Sequence, residues 1–329
     1  MVKKVLSLAG GGVRTLYSAV ILDALAHSQG QRLHEMFDLV VGTSGGAVLA
    51  LYIGANGPKP LADLFAPVVL KRWCQKTWIN KWLGLLQMKP KYDGVAKHEN
   101  LREEFGALTM HDLKTHVAVL TVNISRNGPE LFTSYDPICE PFLVADIANA
   151  TSAATPYFPA VRLSNGENYV DGGFGANSPT LLAYDEALNL FGTHEPIQIL
   201  SLGAGIRPQD QAWLTDKPLA WGALPWLMNN LVDLMLGCPG KIMNMLSNHC
   251  VSRSPNCTLL HIDCDIQDIA IDDVSDQALQ RLRRLGQQSW AEEKDNVLRL
   301  LQGRFATKLQ PRFVPTKSAP RPHLSPATS

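Results

Sequence analysis

Two strand–glycine turn–helix units placed back to back at the N-terminus constrain the fold more than any other feature. Val5 to Ala9 is a compact apolar run that ends in Gly10-Gly11-Gly12. From Val13 the residues Val13, Tyr17, Val20, Ile21 and Ala24 recur at helical spacing until Gly30, the pattern of a helix with one buried face. The pattern then repeats: Phe37 to Val41 reads as a strand, Gly42-Thr43-Ser44-Gly45-Gly46 as the turn and Ala47 to Ile53 as a buried helix. Consecutive units of this kind predict an α/β domain with a central, mainly parallel sheet flanked by helices in three layers.

Further strands are predicted at Val117 to Ile124 and Leu131 to Tyr135, joined through Ser125-Arg126-Asn127-Gly128, a turn composition. A helix is predicted from Val144 to Ala154, stopping before Pro156, because the residue ahead of a proline avoids helical geometry. Val161 to Leu163 and Tyr169 to Val170 flank Asn165-Gly166, a hairpin signal. Ser178-Pro179 reads as an N-cap followed by proline at the first helical position. Strands at Ile197 to Leu202 and Leu259 to Ile266 and a helix over Ser275 to Gln302, opened by Ser275 as its cap and by Asp276, complete the domain, with 204–218 as a loop. The domain is thus expected over 1–304. The remainder, 305–329, is rich in Pro and Ser and carries Lys308, Arg312, Lys317 and Arg321 without an acid, the composition of a disordered basic tail.

Bulk composition removes some functions. Lys plus Arg (30) balances Asp plus Glu (30) in 329 residues, so no global field favours a polyanion and nucleic acid is not expected as a partner. The six cysteines include no CxxC pair, which fits a reducing, cytoplasmic setting. The apolar run after Lys3-Lys4 is cut short by Gly10 to Gly12, too early for a secretory signal.

The chemistry-bearing residues sit at the turns. Gly42 to Gly46 satisfies G-x-S-x-G, in which glycines allow a sharp strand-to-helix turn that presents the Ser44 hydroxyl at a helix N-terminus. Gly10 to Gly12 leave backbone N–H groups unobstructed beside another helix start, with Arg14 as added positive charge, the arrangement an oxyanion needs. Asp171, freed by Gly172-Gly173 at a strand end, can reach the C-terminal edge of the sheet, where ligand sites of open α/β folds gather. Each feature alone is an ordinary turn; their joint occurrence in this order carries the argument.

GGGVR at 10–14, GTSGG at 42–46, ATSAATPYFP at 150–159 and Asp171-Gly172-Gly173 together resemble the patatin-like phospholipases, over about Val5 to Leu202 with a weaker echo from Asp272 to Leu301. The resemblance implies the three-layer patatin-like fold and a lipid acyl hydrolase of phospholipase A type. It also implies Ser44 as nucleophile, Asp171 as its base, and Gly10, Gly11, Gly12 and Arg14 as the oxyanion-binding loop. It implies no metal, cofactor or catalytic histidine, and a membrane phospholipid or other acyl lipid as substrate, leaving headgroup and any activator open. Thr15 departs from the family pattern, which has glycine after the basic residue. A carboxylic acid with an ordinary pKa of ~3.9 is a poor base for serine unless burial raises its proton affinity.

Two segments suit a lipid surface. Leu70 to Tyr92 interleaves Trp73, Trp78 and Trp82 with Lys71, Arg72, Lys76, Lys81, Lys89 and Lys91, a mixture matched to an anionic bilayer interface and to peripheral membrane contact, and equally to a solvated helix with a few core tryptophans. Leu219 to Cys238 is apolar but interrupted by Pro225, Asn229, Asn230 and Asp233, which suits a lid or acyl groove better than a membrane span, and on periodicity equally suits a buried helix of the main core. Three rival readings remain: an α/β-hydrolase triad using His194 or His261, a dinucleotide site using the first glycine turn and Asp38, and a catalytically silent lipid binder. His249, Cys250, Cys257, His261 and Cys264 lack a ligand spacing for zinc, a strand over Leu259 to Ile266 sets His261 and Cys264 on opposite faces, and no metal is expected.

Overall fold

A computed structural model describes residues 2–75, 89–205, 231–266 and 269–305. Strand β1 (Lys3–Leu8) leads through a short turn into α1 (Leu16–Gln29), which ends on Gly30 in the left-handed conformation. Strand β2 (Leu39–Thr43) leads directly into α2 (Gly45–Gly54). Helix α3 (Val95–Phe105) precedes β3 (His116–Asn123) and β4 (Gly128–Thr133). Then come α4 (Val144–Thr151), the hairpin β5 (Val161–Arg162) and β6 (Asn168–Asp171), and α5 (Thr180–Phe191). Strand β7 (Ile197–Leu202), α6 (Leu231–Arg253), β8 (Cys257–Ile262) and α7 (Asp276–Leu301) complete the order.

The strands form one sheet in the order β5-β6-β3-β2-β1-β7-β8, with β4 also paired to β3. The β1–β2, β1–β7, β2–β3 and β7–β8 pairs are parallel, whereas β3–β4, β3–β6 and β5–β6 are antiparallel. Alternation along β1 divides the core. Leu6 and Leu8 pack with α1, α2 and α7 on one face, while Val5 joins Leu39, Ile199 and the α5 residues Ala183 and Ala187 on the other, as the two-residue period of a strand requires. All ten residues of α2 are buried, which explains why its sequence is apolar all round.

One register places the site. Parallel β2 ends with Thr43 opposite Leu120, and antiparallel β6 ends with Asp171 opposite Thr121. The two strands therefore run toward each other along β3 and stop one position apart, so the residue after β2 and the last residue of β6 face one another.

The expected elements are present with shifted ends. Helix α4 stops at Thr151, not Ala154, because the backbone from Thr151 to Ala153 turns to accept hydrogen bonds from Gly172 and Asp171. Helix α5 begins at Thr180, and Ser178 does not cap it; its hydroxyl instead bonds to Asn244 and Thr180. Strand β8 ends at Ile262, so the reading that set His261 and Cys264 on opposite faces of one strand fails for Cys264. The predicted cap of α7 is present, with Ser275 Oγ accepting from the Ala278 amide. The expected tail, residues 76–88 of the tryptophan-rich segment and 219–230 of the apolar stretch lie outside the described residues.

Gly172 shows how tightly the junction is packed, since a β-carbon there would stand 2.1 Å from the Leu120 carbonyl oxygen. Gly172→Ala must push β6 away from β3 and is expected to destabilise the fold by about 1–3 kcal/mol, read as a lower urea midpoint at unchanged denaturant slope.

Candidate active site

Ser44 occupies the single-residue corner between β2 and α2 with φ 55° and ψ −127°. A non-glycine residue in that region is strained by about 1–3 kcal/mol and persists only where its surroundings hold it. Here the Ser44 amide donates to Thr151 Oγ1 at 3.0 Å, and the Thr151 hydroxyl in turn donates to the Leu120 carbonyl at 2.7 Å. Thr151 thus pins the corner to β3. The first turn of α2 leaves N-terminal amides pointing past the serine, as every helix start does.

The Ser44 hydroxyl donates to Asp171 Oδ2 at 2.6 Å, and the Gly173 amide donates to Oδ1 at 2.7 Å. The aspartate backbone is held on the same side, its N–H donating to the Ala153 carbonyl at 3.1 Å, while the Gly172 N–H donates to the Thr151 carbonyl at 3.2 Å. Burial pushes the Asp171 pKa up to about 6, partly offset by the Ser44 hydroxyl, the Gly173 amide and the charge of Lys97. The carboxyl therefore has a higher proton affinity than an exposed aspartate, the property the serine reaction asks of its base.

The glycine loop abuts this pair: a β-carbon on Gly10 would stand 3.0 Å from Ser44 Cβ. Gly10 and Asn177 grip each other, the Gly10 N–H donating to the Asn177 carbonyl at 2.8 Å and Asn177 Nδ2 to the Gly10 carbonyl at 3.1 Å. Gly12 has φ +57°, and its neighbour Val13 donates to the Ile271 carbonyl at 2.9 Å. Arg14 is buried, with Nε donating to the Ile269 carbonyl at 2.8 Å. Among the described residues, the amides of Gly11 and Gly12 have no hydrogen-bond partner. Of the expected donors, the Gly10 amide is directed to Asn177 and the Arg14 Nε to Ile269, both of which hold the loop. Thr15 packs behind the corner, where a β-carbon on Gly45 would stand 2.3 Å from Thr15 Oγ1, and that hydroxyl is buried without a partner.

The model of the patatin-like phospholipase family matches residues 6–184. The chain belongs to the patatin-like phospholipase family. It is 30% identical over 288 residues to "Patatin-like protein 2" of Oryza sativa subsp. indica, covering 73% of this chain and 71% of that protein. It is 34% identical over 206 residues to the "cGAMP-activated phospholipase" of Pseudomonas aeruginosa, covering 60% of this chain and 61% of that one. Among solved structures, VipD from Legionella pneumophila aligns over 92% of this chain and 67% of its own, with a TM-score of 0.46 and 14% identity.

Two residues named in the rival readings, His261 and Asp38, are engaged elsewhere. His261 donates or accepts at Ser201 Oγ, 2.9 Å from Nδ1, and lies 3.4 Å from Asn244 Nδ2 through Nε2, so its ring is engaged away from Ser44. Asp38 precedes β2 at the opposite end from the glycine loop, tied to the Lys4 amide at 2.8 Å and to Lys3 at 3.3 Å. The described part of the tryptophan-rich segment is also engaged. Trp73 is buried and its indole N–H donates to Asn100 at 2.9 Å, Lys71 and Arg72 pair with Asp276 and Glu103, and Lys91 pairs with Asp272. Trp73 is thus a core tryptophan and does not face lipid, whereas the three cations remain at the surface. No helix among the described residues is long and apolar enough to cross a membrane.

Three contributors escaped the sequence reading. Thr151 lies within the ATSAATPYFP stretch with nothing local to mark its role, Asn177 comes soon enough after Asp171-Gly172-Gly173 to be considered, and Lys97 has no local signal at all. Because folding raises the Asp171 pKa from 3.8 to about 6, the folded protein holds a proton that the unfolded chain has released between those values. This group's contribution to stability therefore falls as pH rises from about 4 to about 6. Asp171→Asn should remove that slope, so that the variant gains on wild type by on the order of 3 kcal/mol across the interval, measured as unfolding free energy against pH.

Proposed function

We propose that this patatin-like protein is a serine-dependent lipid acyl hydrolase of phospholipase A type, acting on fatty acyl esters of membrane lipids. The observation that carries the reading is the 2.6 Å hydrogen bond from the Ser44 hydroxyl to the buried Asp171 carboxylate. In this mechanism Ser44 Oγ attacks the ester carbonyl carbon while its proton passes to Asp171 Oδ2. The carbonyl electron pair moves onto oxygen, and the unpartnered amides of Gly11 and Gly12, with the first amides of α2, stabilise that oxyanion. Gly10 and Arg14 keep the loop in place for them.

Collapse of the tetrahedral species expels the alcohol of the lipid, which takes the proton from Asp171 and leaves the acyl group on Ser44. Water then attacks the acyl-enzyme, again delivering its proton to Asp171, and releases the fatty acid with Ser44 restored. Each well-placed amide contributes on the order of 3 kcal/mol as the oxyanion forms, which offsets a base weaker than histidine. Peripheral contact with the membrane supplies the substrate in this reading.

Ser44→Ala is expected to abolish release of fatty acid from phospholipid vesicles while leaving the far-ultraviolet dichroism unchanged. Wild-type release should persist in excess chelator. Hydrolysis retained by purified Ser44→Ala would overturn the assignment, and a chelated enzyme that recovers only with added metal would overturn the metal-free mechanism.

A further inference from the structure

Lys97 is 1% exposed, although its surroundings in α3, Val-Ala-Lys-His-Glu-Asn-Leu-Arg-Glu-Glu-Phe, read as a solvated helix. Its ammonium donates to the Asn149 carbonyl at 3.2 Å, the Ser152 carbonyl at 3.0 Å and the Ser152 hydroxyl at 3.0 Å. It also stands 4.5 Å from the centroid of the Phe158 ring. A protonated lysine has three N–H donors, and three acceptors meet it here. Uncharged dipoles satisfy the donors but do not balance the charge, and a buried cation without an anion is costly.

The acceptors identify what Lys97 holds. Asn149 and Ser152 flank Thr151, whose hydroxyl receives the Ser44 amide and whose carbonyl receives the Gly172 amide, and Ser152 precedes Ala153, which receives the Asp171 amide. One turn at the end of α4 thus carries the backbone of both members of the pair, and Lys97 fastens it from behind. The ionisable groups coupled to Lys97 are Asp171 and Cys74, and the thiol of Cys74, pushed up to about 11 by burial, is neutral at ordinary pH. Beyond Cys74 lie Tyr92, Lys91 and Asp272, tied to one another. Asp171 is faced by the Ser44 hydroxyl, the Gly173 amide and Lys97.

We propose that Lys97 is a positioning residue for the Ser44–Asp171 pair: its buried ammonium locks the 149–153 turn that holds both residues and places a positive charge behind the Asp171 carboxylate. The proposal rests on the ester-hydrolase reading for its catalytic meaning, but the electrostatic coupling it asserts exists whether or not the chain hydrolyses lipid. Burial alone favours a neutral aspartic acid, which accepts no proton from serine. A cation tied to the same turn favours the carboxylate without competing for Oδ2, which the Ser44 hydroxyl occupies. Burial in turn lowers the Lys97 pKa to about 7, and the Asp171 charge opposes that fall, so each charge supports the other.

The test has two arms. In Lys97→Met the acid limb of kcat/KM on a short soluble ester should move up by ~1 unit, with roughly tenfold loss below the limb that narrows as pH rises. A lysine that only braced the turn would lower kcat/KM equally at every pH, and parallel profiles would overturn the proposal. The second arm needs neither that variant nor any turnover: the Lys97 side chain, isotopically labelled, is titrated by NMR in the wild type and in Asp171→Asn. Coupling between sites is reciprocal, so the Lys97 midpoint should fall when the carboxylate is removed, and an unchanged midpoint would overturn the proposal. Loss of the coupling with hydrolysis intact refutes the role of Lys97, whereas coupling intact in a protein without Ser44-dependent hydrolysis refutes the catalytic reading instead.

Discussion

Strand β3 is paired in parallel with β2 up to Leu120 and antiparallel with β6 from Thr121 onward, and the rest of the site depends on that change of partner. Two strands of opposite direction share one template strand and end tip to tip. The residue that succeeds β2 and the residue that ends β6 must then meet, at a point where the backbone groups of β3 are already committed. Thr151 closes the junction by bridging the Ser44 amide to the Leu120 carbonyl. The hydroxyl and carboxylate are therefore positioned by main-chain hydrogen bonding, with little left to the freedom of their own side chains.

Such a junction is costly, and its components offset one another. Ser44 is held in a strained corner, Asp171 is a carboxylate out of water, and Lys97 is an ammonium out of water. None of the three would persist alone. The strain of the corner is met by the apolar β2 and α2 on either side of it, both buried throughout. The two opposite charges and their hydrogen bonds meet the cost of desolvation jointly. A fold that lost any one of them would relax, but it would also lose the group whose reactivity the strain and burial maintain.

The layered α/β class, most strands, α7 with its serine cap, and the Ser44, Asp171 and glycine-loop positions were legible because they are written locally. Glycine turns between apolar runs require nothing from distant residues to be recognised. The pairing of Gly10 with Asn177, the bridge through Thr151 and the burial of Lys97 are long-range facts. In the sequence Lys97 has charged and polar neighbours on its own helix, and nothing near it announces that α4 will close over its ammonium. Trp73 differs in the opposite sense, since the composition around it suggests a membrane interface while its partner, Asn100, lies well away in sequence. The early stop of α4 has the same origin: its carbonyls are claimed by the strand end at Asp171 and Gly172.

The family match ends at residue 184, yet the glycine loop rests on residues beyond that point. Gly11 lies against Ala204, Val13 bonds to Ile271, and Arg14 bonds to Ile269. Helix α1, which the loop introduces, is covered by α7, where Gly286 packs against the Tyr17 carbonyl and Val20, and Tyr17 bonds to Ser289. Cutting the chain at residue 184 would also strip β1 of β7, its partner along its full length. The reactive hydroxyl and carboxylate would remain in the fragment, but the loop beside them would have lost its floor. In this protein the part that is inherited as a signature is smaller than the part that must fold together, and the later third of the chain has its own claim on how the first turn is shaped.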